Sequence, residues 1–504
     1  MSGVGFARVF VSLLSLGWVA HAALAQGTSA PARIARVERG LLPPVVTDAT
    51  VPMRLADRMR RYQVPAVSVA VVEDGALVWA QAWGLAQRGH AERVHPQTLF
   101  QAASISKPVT ALGAFRLIDQ GRLTLDGDVN AALTSWQVPP GAQSPEHPVT
   151  LRGLLSHTAG LTVAGFPGYV PGTPVPTLLQ ILDGLPPANT PAVRVDKAPG
   201  GDFRYAGGGF VLLQTLMQDV SGEAFAPWMQ REVLARAGMG HSQFGALPDA
   251  PLSVAAAGHR AGKVIPGRRA THPELAAAGL WTTPTDLAQL SIALQQALAG
   301  VSGGVVSPQH IMAALNAPTG TMGLGFNVEG AAGQLRYGHD GSNEGFQSRW
   351  LFDGRRAVIV MANANGAMPL MNEIIRAVAA EHGWTGLQAR RFVPAELRAA
   401  MDRTPLFVRG SFNDWGTNTP LRPAAPGRFE ADLQLPVGPL RFKVASADWD
   451  TIDLGADPAD GAGPGRLSLG GADIERTVAQ AGRYRLQIDA RQPAALRYFL
   501  KALP

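Results

Sequence analysis

Hydrophobic positions in the first part of the chain change from helical to strand spacing. Met53 to Tyr62 carries apolar residues at helical spacing, and a valine-rich run, Val67 to Val72, follows it. This run ends at the turn Glu73-Asp74-Gly75, and Ala76 to Trp83 continues beyond the turn. The pattern predicts a helix followed by a β-hairpin.

Further along, helical patterns stand between strand-like runs. Ser104 to Gln120 has the pattern of a helix closed by Gly121. Other helical patterns are Leu151–Leu155, Phe210–Val220, Thr285–Leu298 and Met368–His382. Three runs are typical of strands: Leu335–Tyr337, Gln347–Phe352 and Ala357–Ala362. Because strands occupy both ends and helices the middle, we expect an α/β (α+β) fold with a mainly antiparallel sheet.

The pattern changes near Gln388 to Thr404, a charged, alanine-containing connector. Beyond it, short alternating runs lie between Gly, Pro and Asn turns: Leu406–Arg409, Arg428–Leu435, Leu440–Ala445, Tyr484–Ala490 and Leu496–Phe499. Asp453 to Gly471 is rich in glycine and predicts a long loop. We expect a small all-β immunoglobulin-like sandwich in this part.

The N-terminal residues have the pattern of an export signal. Arg8 is basic, Val9 to Ala20 is apolar, and Ala23-Leu24-Ala25 gives a small-x-small cleavage site. The apolar stretch is short for a membrane span, and an uncleaved anchor is the alternative. We divide the chain into a signal peptide (1–25), a linker (26–44), an α/β domain (45–387), a second linker (388–403) and a β-sandwich (404–504). The mature protein is expected to be periplasmic or secreted, without membrane attachment.

Composition narrows the function classes. Of the 504 residues, 46% are hydrophobic and 16% are charged, which is typical of a globular protein. The net charge of +6 is spread without a basic run, which argues against a nucleic-acid partner. The absence of cysteine rules out disulfides, a thiol nucleophile and thiolate metal sites. No pattern indicates a metal or an organic cofactor.

Ser104-Ile105-Ser106-Lys107 is the first candidate for chemistry. Residues three apart share a face of a helix, so the hydroxyl of Ser104 and the amine of Lys107 can meet. A lysine acts as a base only in an enclosed site that favours its neutral form. An N-cap serine beside a solvated lysine is the alternative interpretation.

Two later segments are further candidates. Tyr205 stands before the triplet Gly207-Gly208-Gly209, and glycines let a backbone approach a ligand closely. A phenol near cations can relay protons, whereas a packed surface tyrosine is the alternative. In Gly338-His339-Asp340-Gly341-Ser342, the N–H of Ser342 can face an oxyanion. The His-Asp pair also suggests a metal site or a triad, but no second histidine lies beside it at ligand spacing.

Together, and in this order, the three motifs resemble the serine β-lactamases and penicillin-binding proteins. Three further segments strengthen the resemblance: Leu99-Phe100-Gln101-Ala102-Ala103, Leu154-Leu155-Ser156-His157-Thr158-Ala159-Gly160-Leu161 and Gly279-Leu280-Trp281-Thr282-Thr283-Pro284-Thr285-Asp286-Leu287. The resemblance covers roughly Val51 to His382. It is to the class C β-lactamase-like branch, which includes esterases, D-aminopeptidases and DD-peptidases. It implies a β-lactamase/transpeptidase-like antiparallel sheet flanked by helices, with a helical subdomain.

The resemblance also implies roles for single residues. Ser104 would be acylated, Lys107 would take its proton, and Tyr205 would relay protons. The oxyanion would lie between the N–H groups of Ser104 and Ser342. The implied substrate-binding positions are Gln101, Gly207, His339, Asp340 and Gly341. His157 lies in a segment that is structural in this family, and its use as an extra base is a minor alternative.

Two departures from the family pattern affect the expected substrate. Gly207 stands where an asparagine is common, so an amide that grips acyl-amide side chains is missing. His339 stands where a lysine is usual, so a substrate carboxylate loses a permanently charged partner. We therefore expect an ester first, a D-amino-acid peptide or amide second, and a β-lactam third.

The C-terminal part has its own resemblance. Val408-Arg409-Gly410-Ser411-Phe412-Asn413-Asp414-Trp415, with Leu440-Arg441-Phe442-Lys443-Val444 and Asp448-Trp449, resembles the glycogen- and starch-binding β-sandwich modules. The resemblance implies a polysaccharide platform of Trp415, Lys443 and Trp449. The alternative is that both tryptophans fill the core or edge of the sandwich and bind nothing.

The sequence therefore predicts an exported serine hydrolase that works through an acyl-enzyme on Ser104. Two alternatives remain: a penicillin-binding sensor without turnover whose sandwich binds polysaccharide, and a carbohydrate esterase delivered by that sandwich. Small-molecule esters, peptides or β-lactams are the expected partners.

Overall fold

The computed structural model describes residues 29–46, 50–317, 321–330, 333–391, 394–413, 415–449, 451–457, 465–493 and 495–504. The predicted signal peptide, 1–25, lies outside the described residues. The helices are α1 (Ala30–Arg39), α2 (Leu55–Arg61), α3 (Ser106–Asp119), α4 (Leu151–Leu155), α5 (Leu178–Asp183), α6 (Gly207–Ser221), α7 (Phe225–Met229), α8 (Leu275–Ala278), α9 (Pro284–Leu298), α10 (Pro308–Leu315), α11 (Met368–Glu381) and α12 (Pro394–Arg403).

The strands fall into two groups. Those before α12 are β1 (Val45–Val46), β2 (Ala66–Glu73), β3 (Ala76–Gly84), β4 (Phe100–Gln101), β5 (Gln243–Phe244), β6 (His259–Arg260), β7 (Lys263–Val264), β8 (Leu280–Thr282), β9 (Asn327–Glu329), β10 (Arg336–Asn343), β11 (Phe346–Phe352), β12 (Arg356–Ala362) and β13 (Arg390–Arg391). Those after it are β14 (Leu406–Gly410), β15 (Pro420–Ala425), β16 (Arg428–Leu435), β17 (Gly438–Ser446), β18 (Asp453–Ala456), β19 (Leu467–Leu469), β20 (Ile474–Val478), β21 (Gly482–Asp489) and β22 (Arg497–Ala502).

A six-stranded antiparallel sheet forms the centre of the first part, in the order β3-β2-β12-β11-β10-β9. Helices α1, α2 and α11 contribute to the hydrophobic core on one face, and α3, α6 and α9 contribute to the core on the other. Alternate side chains of β2 belong to the two cores: Val67, Val69 and Val71 to one, Ala66, Ala70 and Val72 to the other. Burial on both faces explains why the sequence of this strand is apolar at successive positions, with Ser68 as the one polar residue between Ala66 and Val72.

Helices α3 to α8 form a helical region beside the sheet, with α3 at its centre. Eleven of the 14 residues of α3 are buried, so this helix is apolar all round. Gly113 allows the close packing: a Cβ there would lie 2.6 Å from the sulfur of Met229 and 2.7 Å from the methyl of Met217. The catalytic candidates at the start of α3 are therefore mounted on a rigid, buried helix.

The helices and strands predicted between Met53 and His382 are all present, and the fold class is confirmed. Both predicted linkers require correction. The first, 26–44, contains α1, in which Val37 is buried and Arg36 forms an ion pair with Glu381 at 2.7 Å. The second, 388–403, contains β13 and α12, and Leu397 and Met401 of α12 pack into the C-terminal core.

The C-terminal part is all-β, as predicted, and has a hydrophobic core of its own. Strands β14 to β22 join in one hydrogen-bonded arrangement, with the order β19-β18-β17-β14-β15-β16-β21-β22 and β20 beside β17. The five predicted strands correspond to β14, β16, β17, β21 and β22. The predicted long loop Asp453–Gly471 instead contains β18 and β19 in its described residues. In the described part of the chain, no helix has the length and apolar character that crossing a membrane requires.

Candidate active site

Ser104 lies in a 3₁₀ turn, Ala103–Ile105, that leads directly into α3. Ala103 has a φ of +51°, a left-handed conformation that costs alanine roughly 1–2 kcal/mol. Ser106 fixes this turn, because its hydroxyl donates to the carbonyl oxygen of Ala103 at 2.6 Å and accepts the N–H of Leu280 at 3.0 Å. The fold therefore holds a strained backbone so as to present the half-buried Ser104 at the start of a buried helix.

Lys107 lies one helical turn further along, in contact with the serine. Its Nζ is 3.0 Å from Oγ of Ser104 and 2.9 Å from the carbonyl oxygen of Ala277 in α8. Lys107 is only 2% exposed, and Nζ lies 5.0 Å from the ring centre of Tyr205. The prediction that Ser104 and Lys107 share a face is confirmed, and the alternative of a solvated lysine is excluded.

Tyr205 immediately precedes α6, with its half-buried ring between two imidazoles. The ring centre lies 4.4 Å from that of His157 and 6.1 Å from that of His339. The three motifs, from α3, the start of α6 and β10, thus meet around Lys107. His157, which the sequence suggested to be structural, is in direct contact with Tyr205.

Both imidazoles are buried and neutral. Burial, and then the positive charge of Lys107, lowers the pKa of His339 to about 3. The same two causes, followed by His339 itself, hold the pKa of His157 well below its usual value. A buried site that already contains a lysine disfavours further cations, so neither histidine is a fixed positive charge at neutral pH.

Hydrogen bonds assign opposite tautomers to the two rings. Nδ1 of His157 accepts the N–H of Ala206 at 3.1 Å, so the proton of this neutral ring is on Nε2. Nδ1 of His339 lies 2.5 Å from the carbonyl oxygen of Asp340, which can only accept, so here the proton is on Nδ1. Neither Nε2 has a hydrogen-bond partner among the described residues. The cleft thus contains one unpaired donor and one unpaired acceptor.

Strand β10 approaches the nucleophile closely through Gly341. A Cβ at this position would lie 2.1 Å from the carbonyl oxygen of Ala102 and 2.2 Å from Oγ of Ser348. Only glycine permits this approach. The contact lies one residue from Ser342 and two residues from Ser104, so the two serines border the same space. The predicted oxyanion hole between their N–H groups remains a prediction, and this arrangement supports it.

Two of the implied substrate-binding residues have structural roles. The amide of Gln101 accepts from Asn343 Nδ2 at 2.8 Å and donates to the carbonyl oxygen of Ala270 at 2.7 Å, so it braces β10 behind the cleft. Gly207 is buried, and a Cβ there would lie 2.9 Å from both the carbonyl oxygen of Ala164 and the ring of Phe166. Both substrate-binding assignments remain predictions, and Gly207 provides room for Phe166.

Side chains alternate along a strand, so His339 and Asp340 point to opposite faces of β10. The carboxylate of Asp340 lies 3.7 Å from Nε of Arg349, on the face away from His339. His339 packs beside Tyr205, with ring centres 6.1 Å apart, and Asp340 does not join it. The substrate-binding roles of both residues remain predictions. A His-Asp couple within this motif is therefore excluded.

Sequence reasoning missed the carbonyl of Ala277 and the strained turn at Ala103. A backbone carbonyl leaves no trace in residue identity, so the second partner of Lys107 had no signal. Phe166 was also missed, although its half-buried ring lies beside the tyrosine motif. Phe203 is 42% exposed and lies edge-on to His157 at 5.9 Å, which adds apolar surface at this side.

The predicted polysaccharide platform is only partly assembled. The ring centres of Trp415 and Trp449 are 6.1 Å apart at an angle of 45°, and both rings are half-buried. The guanidinium of Arg409 lies 3.9 Å from the ring centre of Trp449. Nζ of Lys443 forms an ion pair with the half-buried Asp453 at 2.6 Å, and its sugar-binding role remains a prediction.

The described residues contain no group of three or more His, Cys, Asp or Glu side chains arranged to bind a metal. A family model described as Beta-lactamase matches residues 53–382. This range contains all the residues that meet around Lys107.

Individual relatives share parts of this chain. Esterase EstB from Burkholderia gladioli is 39% identical over 101 residues, which cover 20% of this chain and 25% of the esterase. A D-aminopeptidase from Brucella canis is 26% identical over 336 residues, which cover 62% of this chain and 60% of the peptidase. The chain therefore spans between a quarter and 60% of the length of these two curated relatives.

Among solved structures, the octameric penicillin-binding protein homologue from Pyrococcus abyssi has a similar fold. The TM-score is 0.58 at 19% sequence identity, with 88% of this chain and 98% of the other chain covered. At this identity the likeness concerns the fold.

Proposed function

Because the chain belongs to the β-lactamase family, we propose that it is a serine hydrolase that forms an acyl-enzyme on Ser104. One observation carries the proposal: Nζ of the buried Lys107 is 3.0 Å from Oγ of Ser104. This distance is within hydrogen-bond reach of a base and its nucleophile. The esterase and D-aminopeptidase among the relatives support a hydrolytic reaction.

In acylation, Lys107 takes the hydroxyl proton of Ser104 while Oγ attacks the substrate carbonyl carbon. The carbonyl π electrons move to oxygen, and the N–H groups of Ser104 and Ser342 stabilise the resulting oxyanion. When the tetrahedral intermediate collapses, the bond to the leaving group breaks. The leaving group receives the proton from Lys107 by way of the Tyr205 hydroxyl.

Deacylation repeats these steps with water as the nucleophile. Water gives a proton to the Tyr205–Lys107 pair and attacks the acyl carbon, and Oγ of Ser104 leaves and regains its proton. Lys107 is held for this work by the carbonyl oxygen of Ala277, which accepts a hydrogen bond from Nζ at 2.9 Å. A base that is already positioned requires no reorganisation during the reaction.

The charge in the cleft favours a neutral ester as substrate. His339 is uncharged at neutral pH, so it offers a substrate carboxylate no ionic partner. Phe166 lies against Gly207, where the family commonly has an amide side chain, and makes this wall apolar. We place a D-amino-acid peptide or amide second and a β-lactam third, because both usually carry polar or charged groups beside the reacting carbonyl.

Export to the periplasm or medium, with cleavage of residues 1–25, is part of the proposal and rests on the sequence pattern alone. Binding of an α-glucan by the C-terminal part is also proposed. The adjacent, half-exposed Trp415 and Trp449 favour it, because indole faces pack well against sugar rings. Lys443 is left out of this platform, since Asp453 occupies its ammonium group.

Intact-mass spectrometry of the full mature chain tests the central proposal. The protein is mixed with a fluorophosphonate, a penicillin or p-nitrophenyl esters, and adducts are followed over time. A fluorophosphonate adduct on Ser104 and an ester adduct that decays with turnover are expected. A long-lived penicillin adduct without ester turnover would replace the proposal with a penicillin-binding sensor, and no adduct from any reagent would refute it.

A further inference from the structure

A cavity of about 260 Å3 lies at the end of the central sheet away from the nucleophile. Three segments enclose it: residues 333–336 at the start of β10, the β11–β12 hairpin, and residues 384–387 after α11. None of these segments belongs to the cleft around Lys107. Arg336 and Ser342 are six residues apart along β10, a separation of about 20 Å at 3.3 Å per residue.

The cavity has one apolar wall. Phe352, Leu351, Ala357 and Val358 line it and are buried, as is Trp384. The indole Nε1 of Trp384 donates to Oε1 of Glu73 at 2.7 Å, which fixes the orientation of the ring. The part of this wall that faces the cavity is apolar, and apolar rings pack favourably on such surface.

Two arginines supply positive charge at the same cavity. The side chain of Arg336 is only 15% exposed, and no described residue accepts a hydrogen bond from its buried Nε. The guanidinium of Arg356 lies 5.9 Å from the ring centre of Trp384 and donates no hydrogen bond within the described ranges. Nη1 of Arg336 donates to the carbonyl oxygen of Gln334 at 3.3 Å. Its Nε and the half-buried guanidinium of Arg356 are suited to a ligand that supplies further acceptors.

One acidic side chain, Asp353, lines the cavity, and a second, Glu329, lies beside Arg336. Asp353 uses one carboxylate oxygen to accept the backbone N–H groups of Arg355 and Arg356 at 2.8 and 2.7 Å. Glu329 lies 3.8 Å from Arg336 but is shared with Arg349, whose guanidinium is nearer at 3.2 Å. Among the described residues, the lining therefore carries two arginines and one carboxylate, that of Asp353, which leaves a net positive charge.

We propose that this cavity binds a small organic carboxylate, with the carboxylate between Arg336 and Arg356 and an apolar ring against Trp384. The size agrees with this class of ligand. An apolar protein cavity of about 150 Å3 is known to hold benzene, so about 260 Å3 accommodates one ring and a carboxylate. The site is independent of Ser104 and does not require that the protein be a hydrolase.

Ligand-detected NMR and calorimetry with benzoate on the full chain test the site. Benzoate is expected to bind in the millimolar range, and neutral benzamide and ring-free acetate at least about tenfold more weakly. Arg356→Gln and Arg336→Gln, each checked for an unchanged melting temperature, are each expected to weaken benzoate binding by about tenfold or more.

Arg355→Gln is the matched control, because Arg355 neighbours Arg356 on the same hairpin but pairs with Asp74 at 2.7 Å outside the cavity. This variant is expected to bind benzoate like the unaltered protein. Equal binding of benzoate and benzamide, or undiminished binding to both folded cavity variants, would overturn the proposal. So would the absence of benzoate binding up to about 10 mM, the weak limit for a ligand of this size.

Discussion

Replacing Gly341 by alanine should separate β10 from the nucleophile without unfolding the protein. The new Cβ would lie 2.1 Å from the carbonyl oxygen of Ala102 and 2.2 Å from Oγ of Ser348. Nonbonded carbon and oxygen atoms rarely approach within about 3.2 Å, so the two backbones must move apart by about 1 Å. That movement occurs beside Ser342, whose N–H is half of the proposed oxyanion hole.

A displacement of this size has a large effect on a preorganised site. Misplacing a catalytic group by about 1 Å can cost roughly 10²-fold in rate, and losing one oxyanion donor costs about 10²–10³-fold. We therefore expect Gly341→Ala to reduce kcat/KM for p-nitrophenyl acetate by about 100-fold. The overpacking should also reduce the free energy of unfolding by about 1–3 kcal/mol, which a two-domain protein of this size can tolerate.

The assay needs a control variant in which another glycine of the same sheet is replaced by alanine without creating a close contact. Gly354 lies in the β11–β12 turn, and a Cβ there meets nothing within 4 Å. Gly354→Ala is expected to keep both activity and melting temperature. Circular dichroism and the rate of fluorophosphonate labelling of each variant distinguish a displaced oxyanion hole from global unfolding. If folded Gly341→Ala retains more than about half of the activity, the close approach of β10 has no role in catalysis and the reasoning is wrong.

Four further outcomes follow from the same contacts. Ser104→Ala should abolish covalent labelling and ester turnover, as measured by intact mass and p-nitrophenol release. Lys107→Met should lower kcat by about 10³-fold or more with little change in melting temperature, and a fully active variant would remove Lys107 as the base. Glu274 is buried without a side-chain hydrogen-bond partner among the described residues, and burial raises its pKa from 4.5 to about 7. A carboxyl with a raised pKa stabilises the fold at low pH and loses that contribution as pH rises through about 7. The free energy of unfolding of the unaltered protein should therefore fall by about 3 kcal/mol between pH 5 and 8. Glu274→Gln should abolish this fall, as measured by urea unfolding at each pH. Trp449→Ala should reduce retention of the full chain on insoluble starch, and equal retention with the fold intact would count against the glucan proposal.

Much of the fold could be predicted because its elements are specified locally. The valine run of β2 and the helical period of α3 are patterns within single segments, and both were found. Ser104 and Lys107 could be paired for the same reason, since three residues on one helix fix their proximity.

The elements that were missed depend on partners far away in the chain. Helix α1 has one fully buried residue, Val37, and its charged face is satisfied by Glu381, more than 300 residues later. Gln101 is similar, because its amide reaches Asn343 through the packing of β10. From the sequence alone, a glutamine that precedes the nucleophile is equally consistent with a structural role and with a substrate contact. The sequence pattern was therefore enough to identify the candidate reacting groups. The residues that position them could be identified only from the tertiary structure.

The distribution of charge gives the two ends of β10 different chemistry. At Ser104, burial, and then the positive charge of Lys107, hold the pKa values of His157 and His339 below the usual value, so both rings are neutral. A cleft of this kind suits a neutral ester, whose charge appears only as the oxyanion that the backbone N–H groups stabilise. Hydrolysis then releases a carboxylate into the cleft, where neither neutral imidazole offers it an ionic partner. At the other end of the strand, Arg336 and Arg356 supply the cationic donors that these imidazoles lack. The carboxylate class proposed for that cavity is thus also the product class of the proposed reaction, and the two sites can be tested with the same ester series and its acids.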